Sequence, residues 1–300
     1  MNPLPRITVV TPSFNQAPFL RDTIESVLGQ GYPDLEYIVM DGGSTDGSVD
    51  IIKEYAPRLA YWTSAKDGGQ AAAINAGFAR ATGGILAWLN SDDYYLPGTL
   101  RTVARLLDPT HAGLLLGNCI HVREGESALR GSDVPLRHQQ MRLATTDYII
   151  QPSSFWTKAT WDRVGALDAQ LHYVFDWDWF IRCAEAGVEM TTTPRYLAAY
   201  RIHAAHKSGG GGEKRDEEVR AIYTRHSPPH ILKLHDDCRQ HADRIKRTRK
   251  WISNLRLNRM FPTARLLQWF LPDIFARVPE KDIRDYFGFI TDPPHLEKAL

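Results

Sequence analysis

A chain of 300 residues with 43% hydrophobic and 24% charged residues can bury a full core in one or two domains, which excludes a disordered tail or a fibre. Its formal net charge of +1 argues against nucleic acid as the main partner, because phosphate binding shows as a basic excess. Cys119, Cys183 and Cys238 are odd in number and have no CxxC spacing, so neither a disulfide framework nor a cysteine zinc site is suggested, and a reducing cytoplasm is expected.

Met1 to Arg6 passes directly into strand-like residues without the charged start and apolar stretch of a signal peptide. No run approaches the roughly 20 apolar residues that span a bilayer. Ile7 to Thr11 reads as a first strand, followed by a helical stripe of Leu20, Ile24, Val27 and Leu28. Leu35 to Met40 is a second strand and Ile51, Ile52 and Tyr55 a second helical face. Leu59 to Trp62 reads as a third strand, Gln70 to Ala81 as an alanine-rich helix, Ile85 to Leu89 as a fourth strand and Pro97 to Leu107 as the next helix. Strands alternating with helices over short connections predict a doubly wound, mostly parallel α/β sheet.

From Leu114 the pattern changes to shorter strands and a mixed sheet, with a hairpin expected at Cys119 to Arg123 and the Glu124-Gly125-Glu126 turn. Helices are expected over Lys158 to Val164 and Trp179 to Ala186, each closed by a glycine, Gly165 and Gly187. Gly209 to Gly212 reads as a flexible linker, and the chain after it is helical and basic.

Polar, mostly glycine-bearing clusters follow the four strands, and in such a fold those exits converge on one crevice. The first is Thr11-Pro12-Ser13-Phe14-Asn15, where Phe14 could lie against a base or Asn15 could cap a helix. The second, Asp41 to Ser48, offers an acid to a base and exposed amides, while Ser44 and Asp46 could serve as caps. The third is Ala65 to Gln70 with Asn75 beyond. The fourth is Asn90-Ser91-Asp92-Asp93 after an apolar run, where hard carboxylate oxygens suit Mg²⁺ or Mn²⁺ sharing its shell with substrate phosphates. Neither GxGxxG nor GxxxxGK[ST] occurs, so dinucleotide and P-loop readings lose their main support.

In this order the clusters resemble the inverting glycosyltransferases of family 2, nucleotide-sugar enzymes with the GT-A fold, over roughly the first two hundred residues. The resemblance implies a GT-A domain at 1–208, with a nucleotide half at 1–110 and an acceptor half at 111–208, followed by a helical extension at 209–300. It implies transfer of a sugar from a nucleoside diphosphate, UDP or dTDP before GDP, to the hydroxyl of a sugar or lipid-linked acceptor, with Mn²⁺ or Mg²⁺, in surface polysaccharide or glycolipid assembly. Pro12 and Phe14 would border the nucleotide with Asn15 and Gln70 in the same loops, Asp41 would read the base, and Asp67 would help hold the nucleoside. The metal motif falls on Ser91-Asp92-Asp93, so that Asp92 would face the ribose and Asp93 hold the metal. Ser91 at its first position departs from the usual acid and raises the need for a ligand from the second half. Asp176 in Tyr173 to Arg182 is the candidate base, an inverting transfer needing one carboxylate to take the acceptor's proton. As a residue it could equally be a helix N-cap. Asp178 could orient it or bind Arg182. Trp177 is core or acceptor-stacking, and Gln151 borders donor sugar and acceptor. His203 suits the metal shell better than His206, and Lys207 would meet the diphosphate on a closing lid.

The basic, aromatic stretch from about Arg239 to Leu271 is open between a membrane-surface element, at the inner face of a membrane, and a face packed on the catalytic domain or a second subunit. Two other classes stay in view, a nucleotidyltransferase and a non-catalytic nucleotide-sugar binding protein.

Overall fold

The structure, a computed structural model, describes residues 4–123, 130–203, 207 and 212–288. It divides into two compact units: residues up to Pro135 with Ile149–Arg215, and Leu136–Tyr148 with the chain from Asp216 onward.

The first unit begins as the sequence pattern predicts. β1 (Ile7–Ser13), α1 (Ala17–Leu28), β2 (Leu35–Asp41), α2 (Ser48–Tyr55), β3 (Tyr61–Ser64), α3 (Gln70–Phe78), β4 (Ile85–Trp88), the short β5 (Tyr94–Tyr95) and α4 (Thr99–Leu106) follow in order. β1, β2, β3 and β4 are mutually parallel in the order β3-β2-β1-β4. All residues of β1 and β4 are buried, as expected of strands covered by helices on both faces. α3 packs so tightly on β1 that a Cβ at Gly77 would lie 2.5 Å from Val10 Cγ1. β3 starts two residues later than predicted, because Pro57 and Leu59 belong to a short 3₁₀ turn and its exit. α3 and α4 are shorter than predicted at their ends, where propensity alone sets no boundary.

The acceptor side departs from the expected short strands. β6 (Gly113–Arg123) and β9 (Glu189–Ile202) are the longest strands described, and they pair in parallel along most of their length. Register shifts at Leu116, Asn118 and Cys119 break the alternation that would mark one long strand in the sequence. Asn118 satisfies the irregularity, donating to Pro194 O at 3.1 Å and accepting from Val134 N at 2.8 Å. β7 (Arg130–Gly131) pairs antiparallel with β6, and the Glu124-Gly125-Glu126 turn lies outside the described residues. α5 (Val134–Gln140) passes into the second unit after Pro135, and β8 (Ser154–Thr157), α6 (Lys158–Val164) and α7 (Phe175–Glu185) complete this side, β8 joining β4 to β6 by antiparallel pairing. The sheet order is β3-β2-β1-β4-β8-β6-β9-β5, a mostly parallel sheet with a mixed acceptor side.

α7 starts four residues before the predicted Trp179, at Phe175, with Val174 as its N-cap. Its aromatic residues supply the reason. Trp179 is fully buried with its ring 4.8 Å from that of Trp156, and its Nε1 donates to Gly165 O at 2.9 Å. Burial of such rings rewards extending the helix by a turn.

The second unit holds α8 (Gly212–His226, whose first residues belong to the first unit), α9 (Pro229–Gln240), α10 (Ala242–Asn254), α11 (Thr263–Phe270), α12 (Pro272–Phe275) and α13 (Glu280–Phe287). Its core is Leu234, Ile245, Ile252, Leu266, Leu267, Phe275 and Ile283. The segment 136–148, placed in the acceptor half by the sequence reading, belongs to this unit. Arg142 pairs with Asp282, and Tyr223 Oη donates to Thr145 O at 3.0 Å. Of the glycine linker, Gly209 to Gly211 lie outside the described residues, and Gly212 opens α8.

Candidate functional site

The strand order reverses between β1 and β4, and the crevice beyond their C-terminal ends is where open α/β sheets take ligands. Beyond β1 the chain turns at Asn15, whose φ is 52°. Asn15 is not the α1 cap. Its Oδ1 accepts from Thr45 N at 2.9 Å and its backbone N–H donates to Ser44 Oγ at 2.8 Å, tying the two loops together. The start of α1 is satisfied instead by Asp46, whose Oδ2 accepts from Ala17 N at 2.9 Å.

Asp41 is 2% exposed, and its oxygens are occupied by the turn it begins. Oδ2 accepts from the amides of Gly43 and Ser44 at 3.0 and 2.9 Å and from Ser64 Oγ at 2.7 Å, while Oδ1 accepts from Ser44 Oγ at 2.6 Å. The acid that stands open is Asp67. A Cβ built on Gly42 would lie 3.1 Å from Asp67 Oδ2 and 3.3 Å from Phe14 Cδ2, so these three residues form one wall. Phe14 is 61% exposed, and Pro12 is buried within β1. Asn75 holds structure rather than ligand, bonding both polar atoms of Leu167 at 2.9 and 3.0 Å.

The tetrad after β4 is a turn closed by Asp93 N donating to Asn90 O at 3.1 Å. Its two acids have opposite surroundings. Asp93 is fully buried, with Oδ1 accepting from Arg201 N at 3.0 Å and Oδ2 without a partner among the described residues. Burial first, and the neighbouring Asp92 carboxylate second, push its pKa well above the usual carboxylate range. Thr23 Oγ1 donates to the Ser91 and Asp93 carbonyls at 2.9 and 2.6 Å, fixing this turn on α1. Asp92 is open on one side, and its Oδ2 lies 3.2 Å from His203 Nε2 at the end of β9. The His203 ring packs 4.3 Å from Phe19, beside a cleft of about 250 Å³ that Asp22 and Arg201 also line. Arg201 pairs with Asp22 at 2.8 Å. Sequence reasoning passed over Phe19, Asp22 and Arg201. Phe19 and Asp22 share one face at i, i+3 on α1, and Arg201 stands two residues before His203, which were the available signals.

A chain of side-chain hydrogen bonds joins the remaining loops. Lys207 Nζ donates to Gln70 Oε1 at 2.8 Å, Gln70 Nε2 to Asn90 Oδ1 at 2.8 Å, Asn90 Nδ2 to Gln151 Oε1 at 3.3 Å, and Gln151 Nε2 to Trp88 O at 2.8 Å. Gln151 is therefore a buried strut between β4 and the acceptor side. Lys207 also lies over the rings of Tyr173 and Phe175, at 5.8 and 5.4 Å.

Asp176 sits in the first turn of α7, past the cap, with Oδ1 accepting from its neighbour Trp177 N at 2.9 Å. Desolvation raises its pKa above the usual carboxylate range, opposed by the Trp177 amide and by the charges of Lys207 and Arg215. Asp178 is buried and paired with Arg182 at 2.8 Å, the structural alternative of its two expected roles. Trp177 is 4% exposed, so it offers little face for stacking an acceptor. His206 lies outside the described residues.

Two donors of the right chemistry, Asp92 Oδ2 and His203 Nε2, stand together at the strand exit. Among the described residues no three His, Cys, Asp or Glu side chains form a ready cage. That set suits Mn²⁺ or Mg²⁺, which take one or two protein ligands and leave the rest to phosphate and water.

Residues 8–160 match the model of glycosyl transferase family 2. The chain belongs to this family. A glycosyltransferase of Nostoc sp. is 28% identical over 214 residues, covering 67% of this chain and 66% of that protein. Among solved structures, S. aureus TarS 1–349 in complex with UDP-GlcNAc matches with a TM-score of 0.63 at 16% identity, over 94% of this chain and 89% of that one. The mannosyltransferase PcManGT of Pyrobaculum calidifontis, in complex with GDP-Man and Mn²⁺, matches with a TM-score of 0.61 at 17% identity, over 96% and 89%. These likenesses bear out the GT-A fold of this family 2 chain.

Proposed function

We propose that this family 2 chain transfers a sugar, with inversion, from a nucleoside-diphosphate sugar to an acceptor hydroxyl. The observation that carries the reading is the Asp92–His203 pair, 3.2 Å apart at the switch point of the sheet. Asp92 and His203 would hold the divalent cation, the assignment differing from the expected Asp93 because Asp93 is sealed from a diffusible diphosphate. The cation, when bound, supplies positive charge to the departing diphosphate.

Phe14 would offer its exposed face to the base, and Asp67, rather than the hydrogen-bonded Asp41, would accept a base or ribose proton. Asp67 accepts an imide N–H of uracil or thymine as readily as the N–H of guanine, so UDP, dTDP and GDP sugars all satisfy it. Asp176 would take the proton from the attacking hydroxyl at its carboxylate oxygen. Burial raises its pKa, which strengthens it as a base, and the charges of Lys207 and Arg215 oppose that rise. Lys207, held by Gln70, would place its charge between Asp176 and the nucleotide loops.

Thermal-shift measurements with UDP, dTDP and GDP, each with and without Mn²⁺, test this reading. Stabilisation by at least one nucleoside diphosphate that needs the metal is expected. No stabilisation by any of them would overturn it. A matching screen of UDP-, dTDP- and GDP-sugars for metal-dependent hydrolysis identifies the donor.

A further inference from the structure

Between Arg244 and Arg265 the chain carries eight Lys or Arg and no Asp or Glu, in a protein whose net charge is only +1. From Trp251 to Phe270, overlapping this stretch, stand six of the eight large apolar side chains that are exposed among the described residues. Four of them form two ring pairs. Trp251 packs edge-on against Phe270 at 4.9 Å, and Phe261 against Trp269 at 5.2 Å, with Met260 73% exposed in the turn between the helices. The unit's own core takes Ile245, Ile252, Leu266 and Leu267 from the same helices and none of these rings.

We propose that this α10–α11 face is a docking surface for an anionic lipid bilayer. Aromatic rings with an apolar body and charged neighbours favour the boundary between headgroups and acyl chains. Lys246, Arg247, Lys250, Arg256 and Arg259 are exposed and make no ion pair with another described residue, so their charge is available to anionic headgroups. Arg247 and Trp251 are four residues apart on α10, which puts a cation and a ring on one stripe of the helix. A second copy of this chain is the poorer occupant. A two-fold interface would set this cationic stretch against itself, where like charges oppose each other. Among the described residues no helix is long and apolar enough to cross a membrane, so the contact is peripheral.

Co-sedimentation of the full chain with vesicles of phosphatidylcholine, alone or mixed with phosphatidylglycerol, tests the proposal. Binding to the mixed vesicles alone is expected, weakening as salt rises. Arg247→Glu with Lys250→Glu should lower the partition coefficient by at least about tenfold. Trp251→Ser with Trp269→Ser should also lower it, with the melting temperature and metal-dependent donor hydrolysis unchanged. No binding to the mixed vesicles overturns the proposal, as does binding that neither double variant weakens. A dimer in sedimentation velocity that the aromatic variant dissociates also overturns it, by assigning the face to a second copy. The hydrolysis readout is separate, so failure here leaves the transferase reading standing.

Discussion

The two sides of the catalytic sheet were built under different rules. On the nucleotide side, β1 to β4 are parallel and short, and β1 and β4 are buried throughout their length. On the acceptor side, β6 and β9 run long through register shifts, and the residues proposed for the site sit on a helix start, a strut and a strand terminus. Parallel strands repeat one simple pattern, so their exits can be counted from sequence. The acceptor side has no such pattern, because bulges interrupt alternation and its site residues are defined by what lies across from them.

The largest expected effect tests whether the acceptor side supplies the base. Asp176→Asn should lower kcat by about 10²- to 10⁴-fold while leaving nucleoside diphosphate binding intact, as read by steady-state kinetics and calorimetry. In the parent, kcat/KM should rise with pH as Asp176 ionises, since the carboxylate is the active form and burial raises its pKa. Lys207→Ala removes an opposing charge and should move that rise to still higher pH. A pH profile unmoved by both substitutions would place the base elsewhere.

A smaller effect tests the joint between the sides. Asp92→Ala or His203→Ala should raise the Mn²⁺ concentration needed for half-maximal hydrolysis by about 10- to 100-fold, and Asp93→Asn should leave that concentration near the parent's. The reverse result would return the metal to Asp93 and make its buried surroundings a closed state of the crevice.

The smallest effect lies wholly within the nucleotide side. Asp46→Ala removes the side-chain acceptor for Ala17 N at the start of α1 and should cost about 1 kcal/mol of stability in urea denaturation. A much larger loss would show that the loop between β2 and α2 does more than cap its neighbour.

The alternation of the first hundred residues predicted β1, β2 and β4 within two residues of their observed ends, and the glycine-bearing exits located the crevice. The same reading shortened β6 and β9 and delayed α7. It had no means to see that Gly117 must be small because a Cβ there would lie 2.4 Å from Leu197 Cδ1. It also grouped the residues of the amide chain from Lys207 to Trp88 by loop, when each is defined by a partner 20 or more residues away.

Periodicity and the order of polar clusters were properties of the sequence itself, and they determined the family, the fold and the end of the sheet where chemistry collects. The division of labour within those clusters was decided only in three dimensions. Asp92 and Asp93 are the same side chain in adjacent positions, and Asp41 and Asp67 are the same acid after adjacent strands. Burial, an Arg201 amide and a serine-lined turn withdraw Asp93 and Asp41, while His203 and Phe14 meet the other two. A carboxylate's role follows from its desolvation and its partners, and neither is a property of the residue or of its place in the chain.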